Sequence, residues 1–243
     1  MENVVPQKFI TKVAEKYSLT EDGKFVLVKI ELTEQNNHLV FQAGQYVSIK
    51  INENGERRSY SIASTPEVDH GITIVVDVTP DGLGSKFIQQ LIIGQDVEIL
   101  APLGNFVVEQ EKDNLLFVAT GSGIVPLYAM INDLLINKQN KRQIRLHWGM
   151  HDESDLFWFD NLGRLAEEHS NFVFDVVLSS PKGEWTLCRG HVQDCLLQDL
   201  GNGVLKSGWE AYLCGNPKMI EEVSTDLQKL GMKSDKIKHE KFS

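Results

Sequence analysis

The sequence is poor in cysteine, and the few cysteines lack the spacing of a metal centre. Only Cys188, Cys195 and Cys214 occur in 243 residues, and no two form a CxxC pair. An iron–sulfur centre needs four clustered thiolates, and none of the seven histidines stands in an HExxH arrangement. We therefore predict no metal. Because an odd number of cysteines is a poor disulfide framework, we also expect a reducing compartment.

Long apolar runs and an excess of positive charge are missing as well. No segment approaches the roughly 18 uninterrupted apolar residues of a membrane span, and the start, MENVVPQKF, lacks a basic stretch followed by an apolar one. The formal net charge is −10 at pH 7, whereas nucleic-acid backbones attract basic proteins. These features predict a cytoplasmic protein with no membrane span and no nucleic-acid partner.

The first hundred residues contain short runs typical of β-strands, separated by turn signals. In these runs apolar residues alternate with others or β-branched residues dominate. The runs are 24–32, 45–51, 72–78 and 96–100. This pattern predicts an antiparallel sandwich or barrel. One short helix is expected over 85–92, with Ser85 as a candidate cap at its start.

Strands alternate with helices in the rest of the chain. The predicted strands are 114–120, 143–150, 171–178 and 211–214, and the predicted helices are 125–137, 155–169, 191–199 and 217–230. Such alternation predicts a parallel sheet with covering helices. We therefore expect two domains, residues 1–109 and 110–243, with a short connection between them.

Glycines stand where two of the predicted parallel strands end. In TGSGIVP, Gly121 and Gly123 allow a tight turn, the following helix offers unpaired N–H groups to phosphates, and Pro126 suits a first helical turn. These residues alone support dinucleotide binding and a purely steric role for glycine about equally. AYLCGNPKM repeats the layout, so we expect 120–126 and 214–217 to line one crevice at the carboxyl ends of the strands.

The segment RRSYSIAS, residues 57–64, combines two arginines, an aromatic ring and three serines. Taken alone it fits an exposed strand, with Arg57 and Ser59 facing water and Tyr60 and Ile62 in a core. Most such patterns are only exposed strands, but this one also suits a site for a flat, anionic ligand, because a guanidinium donates two parallel hydrogen bonds to a phosphate.

Five motifs together resemble those of the ferredoxin–NADP reductase-like flavoenzymes, in the same order and spacing. They are RSYS (58–61), PDGLGS (80–85), TGSGIVP (120–126), LCGNP (213–217) and HEKF (239–242). The resemblance covers nearly the whole chain. It implies a two-domain fold, with an antiparallel Greek-key β-barrel that binds flavin followed by an α/β parallel-sheet domain that binds a nicotinamide coenzyme. FAD is the expected flavin, with FMN the less favoured alternative, and NADH or NADPH is the expected co-substrate.

The resemblance also implies roles for residues of the barrel. Tyr60 is expected to stack on the flavin ring, Arg58 to pair with a flavin phosphate, and Ser61 to lie near the reactive N5 of the flavin. Gly84 and Ser85 are expected to hold the pyrophosphate from the start of the short helix.

In the second domain, the resemblance assigns coenzyme binding to six positions: Thr120, Gly121, Gly123, Pro126, Cys214 and Gly215. It places Ser61, Cys214 and Glu240 around the point of hydride transfer, as catalytic residues. Near the end of the chain, it implies that Phe242 covers the nicotinamide-facing side of the flavin.

Two departures from the family pattern refine the expected function. Ser179 is followed by Ser180, where NADPH-binding members often carry an arginine, which favours NADH. Lys182, Arg189 and His191 lie close by in sequence and are candidates to replace that arginine. The sequence also lacks the cysteines of the iron–sulfur modules that some members carry, so we expect electrons to leave directly from the flavin.

The leading interpretation is an NAD(P)H-dependent FAD oxidoreductase that passes electrons to a separate carrier such as ferredoxin or flavodoxin. A first alternative is a flavin reductase that uses free flavin as a substrate. A second is an electron-transfer subunit that works only within a larger complex.

Overall fold

The computed structural model describes residues 5–33, 38–67, 70–109, 112–201 and 208–241. Phe242, predicted to cover the flavin, lies outside these residues. The chain divides into two compact units, Met1–Val108 with Tyr128–Asn137, and Glu109–Leu127 with Lys138–Ser243. Within the described ranges, no helix has both the length and the apolar character needed to cross a bilayer.

The first unit is built on an antiparallel sheet, as predicted, and this sheet has six strands. The strands are β1 (Gln7–Ser18), β2 (Phe25–Leu32), β3 (Tyr46–Lys50), β4 (Arg57–Ser61), β5 (Gly71–Asp77) and β6 (Asp96–Leu103). Their order in the sheet is β4-β3-β6-β1-β2-β5. Ile62 forms an antiparallel bridge with Ile74, and the Ala63 N–H donates to the Thr73 carbonyl at 2.7 Å. These bonds join the two edge strands and close the sheet into a barrel.

The barrel interior is filled by β-branched residues at alternate positions of the strands. Val28, Ile49, Ile74 and Ile99 are 0–1% exposed and belong to one core cluster. Alternation of this kind sends every second side chain to the same face of a strand. The barrel core therefore follows directly from the apolar pattern of the sequence.

The short helix of this unit, α1 (Leu83–Gln90), begins two residues before its predicted start. Its N-cap is Gly82, in an extended conformation, and the first helical hydrogen bond runs from the Lys86 N–H to the Gly82 carbonyl at 3.0 Å. The expectation that Ser85 caps the helix is therefore wrong. Ser85 lies inside the first turn, where it is buried, and the N–H groups of the first turn have no partner within the helix.

The second unit carries a parallel sheet with helices between the strands, also as predicted. Its strands are β7 (Asn114–Thr120), β8 (Ile144–Met150), β9 (Phe172–Leu178), β10 (Cys188–Arg189), β11 (Trp209–Gly215) and β12 (Ile237–Lys241). The intervening helices are α2 (Ile124–Asn132), α3 (Phe159–Glu168), α4 (Val192–Gly201) and α5 (Pro217–Lys229). A π-helical turn, Asp133–Asn137, continues α2.

The order of strands in this sheet is β10-β9-β8-β7-β11-β12. From β7 the chain proceeds through β8, β9 and β10 on one side, and it then returns to place β11 and β12 on the other side. The direction of winding thus changes between β7 and β11. In open α/β sheets, this switch point is where ligands bind, beyond the carboxyl ends of the strands.

The structure corrects the expectation for the cysteines, because Cys188 and Cys195 form a disulfide. Gly190, with φ +107°, follows β10 directly, and α4 begins two residues later at Val192. The seven-residue separation of the two cysteines is spanned by this turn. Cys214 is the free cysteine, and it is buried.

Candidate functional site

The first group of predicted site residues lies on β4 and at the start of α1. β4 is an edge strand of the sheet and pairs with β3 in antiparallel register, with Tyr46 opposite Ser61 and Val47 opposite Tyr60. Arg58 is exposed, Tyr60 is half-buried, and Ser61 is 7% exposed. Because side chains alternate along a strand, Arg58 and Tyr60 project from the same face.

The two neighbouring arginines of β4 have different surroundings. Arg57 pairs with the Glu98 carboxylate at 2.7 Å and donates to the Ser48 carbonyl at 2.7 Å, so its guanidinium holds strands together. Arg58 donates only to the Arg57 carbonyl, at 2.9 Å, and no carboxylate in the described part of the chain pairs with it. Arg58 therefore has a guanidinium available for an anion, as the family resemblance implies.

Tyr60 carries a buried hydroxyl that has no hydrogen-bond partner within the described residues. Burial raises the pKa of this hydroxyl to about 12, so it remains a donor at neutral pH. A buried polar group without a partner costs on the order of 1–3 kcal/mol. A ligand that accepts a hydrogen bond from the Tyr60 hydroxyl would remove this cost.

Gly84 brings the start of α1 directly against Tyr60 and Arg58. A Cβ atom at position 84 would lie 2.7 Å from the Tyr60 hydroxyl oxygen and 3.1 Å from Cγ of Arg58. Only glycine permits this approach, which puts the unpaired N–H groups of the first helical turn beside the arginine. A guanidinium, an aromatic hydroxyl and a helix N-terminus together suit a phosphate-bearing aromatic ligand, and the residues present thus fit a flavin nucleotide.

The second group of predicted site residues lies where β7 and β11 end. A Cβ atom at Gly123 would lie 2.3 Å from the Cys214 carbonyl oxygen. Gly215 has φ +130°, and a Cβ atom there would meet the Thr120 side chain. The Asn216 N–H donates to the Thr120 hydroxyl at 2.9 Å. Thr120, Gly123, Cys214 and Gly215 therefore come together at the switch point of the sheet, as predicted.

The remaining glycine and the proline of TGSGIVP have local roles. Gly121 has φ +57°, which allows the chain to turn after β7. Pro126 is buried in the first turn of α2, where its missing N–H leaves no helical bond unmade. The structure therefore places Pro126 among the core residues of the helix start.

Two residues that our sequence reasoning missed position these turns. The Trp148 indole N–H, from β8, donates to the Gly121 carbonyl at 3.1 Å. The Asn216 side chain caps α5 by accepting from the Lys218 N–H at 2.8 Å. A buried tryptophan needs a partner for its indole N–H, and asparagine before a proline-initiated helix is a preferred cap. Both signals are present in the sequence.

Cys214 and Glu240 are cross-strand neighbours in the parallel register of β11 and β12. Cys214 is fully buried. Burial, and secondly the charge of Glu240, raise the pKa of the Cys214 thiol far above its usual range, so the thiol stays protonated. Burial also raises the pKa of Glu240 to about 7, and one of its carboxylate oxygens is buried without a partner among the described residues. Glu240 can therefore hold or release a proton near neutral pH.

Basic residues after β9 are already engaged with neighbouring groups. Lys182 pairs with Asp152 at 2.6 Å, which is the main reason that the pKa of Asp152 falls to about 2. Arg189 donates to the Trp185 carbonyl at 3.0 Å and 3.2 Å. Both contacts reduce the availability of these cations for a coenzyme phosphate.

Comparison with known protein families agrees with this geometry. Residues 11–108 match the oxidoreductase FAD-binding domain, and residues 117–225 match the oxidoreductase NAD-binding domain. Together with the two folds, these matches show that the chain belongs to the ferredoxin–NADP reductase-like family of flavoprotein oxidoreductases. FAD is the cofactor of the first domain, and NAD(P)H is the co-substrate of the second.

Individual relatives share a moderate fraction of the sequence. The anthranilate 1,2-dioxygenase electron transfer component of Acinetobacter baylyi is 28% identical over 217 residues, which are 89% of this chain and 62% of the relative. The CDP-6-deoxy-L-threo-D-glycero-4-hexulose-3-dehydrase reductase of Yersinia pestis is 32% identical over 223 residues, which are 91% of this chain and 65% of the relative. The chain thus spans less than two thirds of the length of either relative.

A solved structure of ferredoxin–NADP⁺ reductase from Plasmodium falciparum has the same fold. It superposes with a TM-score of 0.80 over 97% of this chain and 96% of that one, at 19% identity.

Proposed function

We propose that this protein is an NAD(P)H-dependent FAD oxidoreductase that moves electrons from a nicotinamide coenzyme through bound flavin to a separate carrier, with ferredoxin and flavodoxin as the leading candidates. The observation that carries the proposal is the cluster of Arg58, Tyr60 and Gly84. Among the described residues, its guanidinium has no carboxylate partner and its buried hydroxyl has no hydrogen bond, and both groups lie against a helix start.

In this proposal the first unit holds the flavin. Tyr60 would contact the ring system and Arg58 a phosphate, while the N–H groups at Gly84 and Ser85 would hold the pyrophosphate. Ser61, buried at the end of β4, would donate a hydrogen bond near the flavin N5. The close approach at Gly84 fixes the arginine and the helix start relative to each other before a ligand binds, which lowers the entropic cost of binding.

The second unit would bind the nicotinamide coenzyme at the switch point. Gly123 and Gly215 let the ends of β7 and β11 approach each other, and a Cβ atom at Gly121 would meet none of the described atoms within 4 Å. The start of α2 would offer its N–H groups to the coenzyme phosphates. A flavin held in the first unit would supply the chemistry that connects hydride transfer from the coenzyme with electron release singly or in pairs. Catalysis of this kind depends mainly on positioning.

Cys214 and Glu240 would complete the nicotinamide side. The raised pKa of Cys214 keeps its thiol neutral, so it contributes shape and a weak hydrogen bond rather than a charge. Glu240, with a pKa of about 7, would exchange a proton with the reacting groups. Phe242 follows β12 directly, and the role we propose for it, as a cover over the flavin, rests on resemblance alone.

We further propose that NADH is preferred over NADPH. Ser180 stands where an arginine would bind the additional phosphate, and its N–H donates to the His151 carbonyl at 2.8 Å. Of the three candidate replacements, Lys182 and Arg189 are held by Asp152 and by the Trp185 carbonyl, whereas His191 is exposed. Lys182 would have to give up its ion pair with Asp152 to bind a coenzyme phosphate, which makes that binding weaker.

A separate protein acceptor is supported by the names of the relatives. One is an electron transfer component of a dioxygenase and the other a reductase of a dehydrase. The part that this chain shares with them contains the FAD-binding and NAD-binding domains, with a boundary that we place at residues 109/110.

The proposal is tested by purifying the protein with added FAD, removing free flavin, and measuring NADH-dependent reduction of ferricyanide, a ferredoxin and free FMN. We expect a yellow protein that reduces ferricyanide and a ferredoxin without added flavin. A folded protein that stays colourless and acts only when free flavin is supplied would instead be a flavin reductase.

Two matched variants locate the flavin. Arg58→Gln should weaken FAD binding by about 1.5–3 kcal/mol, the value of a hydrogen bond to a charged group. Arg57→Gln removes the same charge one residue earlier and should leave FAD affinity near the wild-type value, because its partners are Glu98 and Ser48. Equal loss of FAD in both variants would contradict the assignment of Arg58.

A further inference from the structure

A polar cluster is buried on the face of the second sheet that α4 covers. His147 lies in the middle of β8. Gly149, two residues later on the same face of the strand, packs against α4, since a Cβ atom there would lie 3.3 Å from Cβ of Val192. Asp175 stands opposite His147 in the parallel register of β8 and β9, and α4 contributes Cys195. None of these residues belongs to the site proposed for FAD or the coenzyme.

His147 is the centre of this cluster. It is 0% exposed, and its Nδ1 has no hydrogen-bond partner among the residues described. Its Nε2 accepts a hydrogen bond from the Arg145 Nε–H at 3.3 Å and lies 3.3 Å from Oδ2 of Asp199, and its Nδ1 lies 4.0 Å from Oδ2 of Asp175.

Because an arginine N–H only donates, the hydrogen bond from Arg145 puts the ring proton of His147 on Nδ1. A metal ion at Nδ1 would shift that proton to Nε2, where the Asp199 carboxylate, 3.3 Å away, would accept its hydrogen bond. In metal-binding histidines, a carboxylate at the second ring nitrogen fixes the tautomer and the orientation of the ring. Asp199 would therefore hold His147 in the tautomer that a metal ligand needs.

Sulfur and oxygen donors lie close to the imidazole of His147. One donor atom each from His147, Asp175 and Cys195 lies within 4.8 Å of the others, and the sulfur of Cys188 is bonded to that of Cys195. Two thiolates, an imidazole and a carboxylate are ligands that Zn²⁺ accepts in tetrahedral geometry, with donors about 3.3–3.8 Å apart. Breaking the disulfide frees both sulfurs to reach such positions.

We propose that the reduced protein binds one Zn²⁺, or a similar soft divalent ion, through Cys188, Cys195, His147 and Asp175, and that forming the disulfide excludes it. A dithiol reductant supplies two electrons and two protons to the disulfide and becomes a disulfide itself. The metal then displaces both thiol protons. Arg145, 2.9 Å from Asp175, offsets the remaining negative charge. This assignment replaces our expectation that the protein has no metal site.

Metal binding at this place would connect elements that are distant in the chain. The four ligands come from β8, β9, β10 and α4. Cys188 and Asp175 are partly exposed, which gives an ion a route to the site. In the reduced protein, the ion would take over the link between β10 and α4 that the disulfide provides in the oxidised protein.

Cobalt(II) is the probe for this site, because its thiolate complexes absorb at longer wavelengths than flavin. The purified protein is reduced anaerobically with a dithiol, freed of the reductant, and titrated with Co²⁺. We expect one Co²⁺ per chain, with tetrahedral d–d bands that disappear on addition of Zn²⁺. The same protein with its disulfide intact should show no such bands.

Variants separate this site from adventitious binding. Cys195→Ser and Cys188→Ser should each weaken Co²⁺ binding by at least tenfold, whereas Cys214→Ser, which removes the third cysteine, should leave the bands unchanged. Changes at the buried His147 can unfold the protein. The role of His147 is therefore tested through Asp199→Asn, which removes the carboxylate beside the ring and should weaken Co²⁺ binding by about 10–100-fold.

Zinc should also raise the unfolding temperature of the reduced wild type but not that of Cys195→Ser. Absence of cobalt bands in the reduced protein, or bands of equal affinity in Cys195→Ser, would overturn the proposal.

Discussion

The two units of this protein prepare their ligand sites in different ways. In the barrel unit, side chains define the site: Arg58 lacks a carboxylate partner among the described residues, and the hydroxyl of Tyr60 is buried without a hydrogen bond to any of them. In the α/β unit, the backbone defines it, because Gly123 and Gly215 allow two strand ends to approach more closely than any side chain permits. Substitutions in the barrel site should therefore weaken ligand binding, whereas substitutions at the glycines of the α/β site should destabilise the fold.

The strongest test of this difference is Gly215→Ala. The new Cβ would lie 2.6 Å from the Thr120 carbonyl oxygen, at a φ of +130° that side-chain-bearing residues rarely adopt. We expect a loss of stability on the order of 2–3 kcal/mol, measured by urea unfolding.

Gly163→Ala is the matched control. Gly163 lies inside α3, and a Cβ atom at this position would meet none of the described atoms within 4 Å. Alanine should therefore stabilise the helix by about 0.5–1 kcal/mol. Similar unfolding midpoints for the two variants would contradict a backbone-built site.

Tyr60→Ala should act on the ligand instead. Loss of a stacking surface is expected to weaken FAD binding by about 1–3 kcal/mol, measured by the fluorescence of released flavin. Tyr17→Ala, which removes a 49% exposed tyrosine from β1, provides the control. If Tyr60→Ala retained FAD as well as Tyr17→Ala does, the ring of Tyr60 would have only a packing role.

Glu240 makes the stability of the α/β unit depend on pH. Its pKa rises from 4.5 in the unfolded chain to about 7 in the folded protein, because burial disfavours the charged form. The folded state therefore binds the proton more strongly than the unfolded state, and stability falls as pH rises from 4.5 to about 7. Glu240→Gln should remove this loss.

We expect Glu240→Gln to be more stable than the wild type above neutral pH and close to it in acid, as measured by thermal unfolding. Glu221→Gln, on an exposed position of α5, serves as the control. A difference between Glu240→Gln and the wild type that is the same in acid and in base would show that Glu240 does not titrate in this range.

The smallest expected effect concerns the choice of coenzyme. Ser180→Arg should raise kcat/KM for NADPH relative to NADH by about tenfold, which corresponds to about 1.4 kcal/mol from a new charge-assisted contact. Ser180→Gln adds a similar length without charge and should leave the ratio unchanged. A wild type that already uses NADPH as well as NADH would contradict the preference that we propose.

Much of the fold could be predicted from the sequence because its strands are strongly patterned. β7 has the predicted bounds, and β2, β3 and β8 lie within one residue of theirs at each end. β1 was missed because its inward positions include Thr11, a polar residue that is buried only because its hydroxyl donates to the Val97 carbonyl at 2.8 Å. Apolar alternation does not reveal a strand of this kind.

Helix starts were harder to predict, since they depend on local caps. α3 begins at Phe159, four residues after its predicted start, because Glu153–Asp155 form a separate 3-10 turn capped by Asp152. The start of α1 was misplaced for a related reason, as Gly82 rather than Ser85 is its N-cap.

The two ligand sites also differ in how much of each could be predicted from the sequence. Glycine motifs at strand ends have a visible spacing, so the switch point could be located from the sequence. The choice of Arg58 over Arg57 came only from the family resemblance, because the residues themselves do not show that Arg57 pairs with Glu98, 41 residues away in sequence. The disulfide between Cys188 and Cys195 likewise depends on how α4 packs against β10.

The most direct test of the central claim is an anaerobic titration of the FAD-loaded protein with NADH, followed by visible absorption. We predict that about one equivalent of NADH bleaches the flavin bands, in line with two-electron transfer from the coenzyme to one bound flavin. Folded, FAD-loaded protein whose flavin bands are unchanged by excess NADH and by excess NADPH would contradict the account.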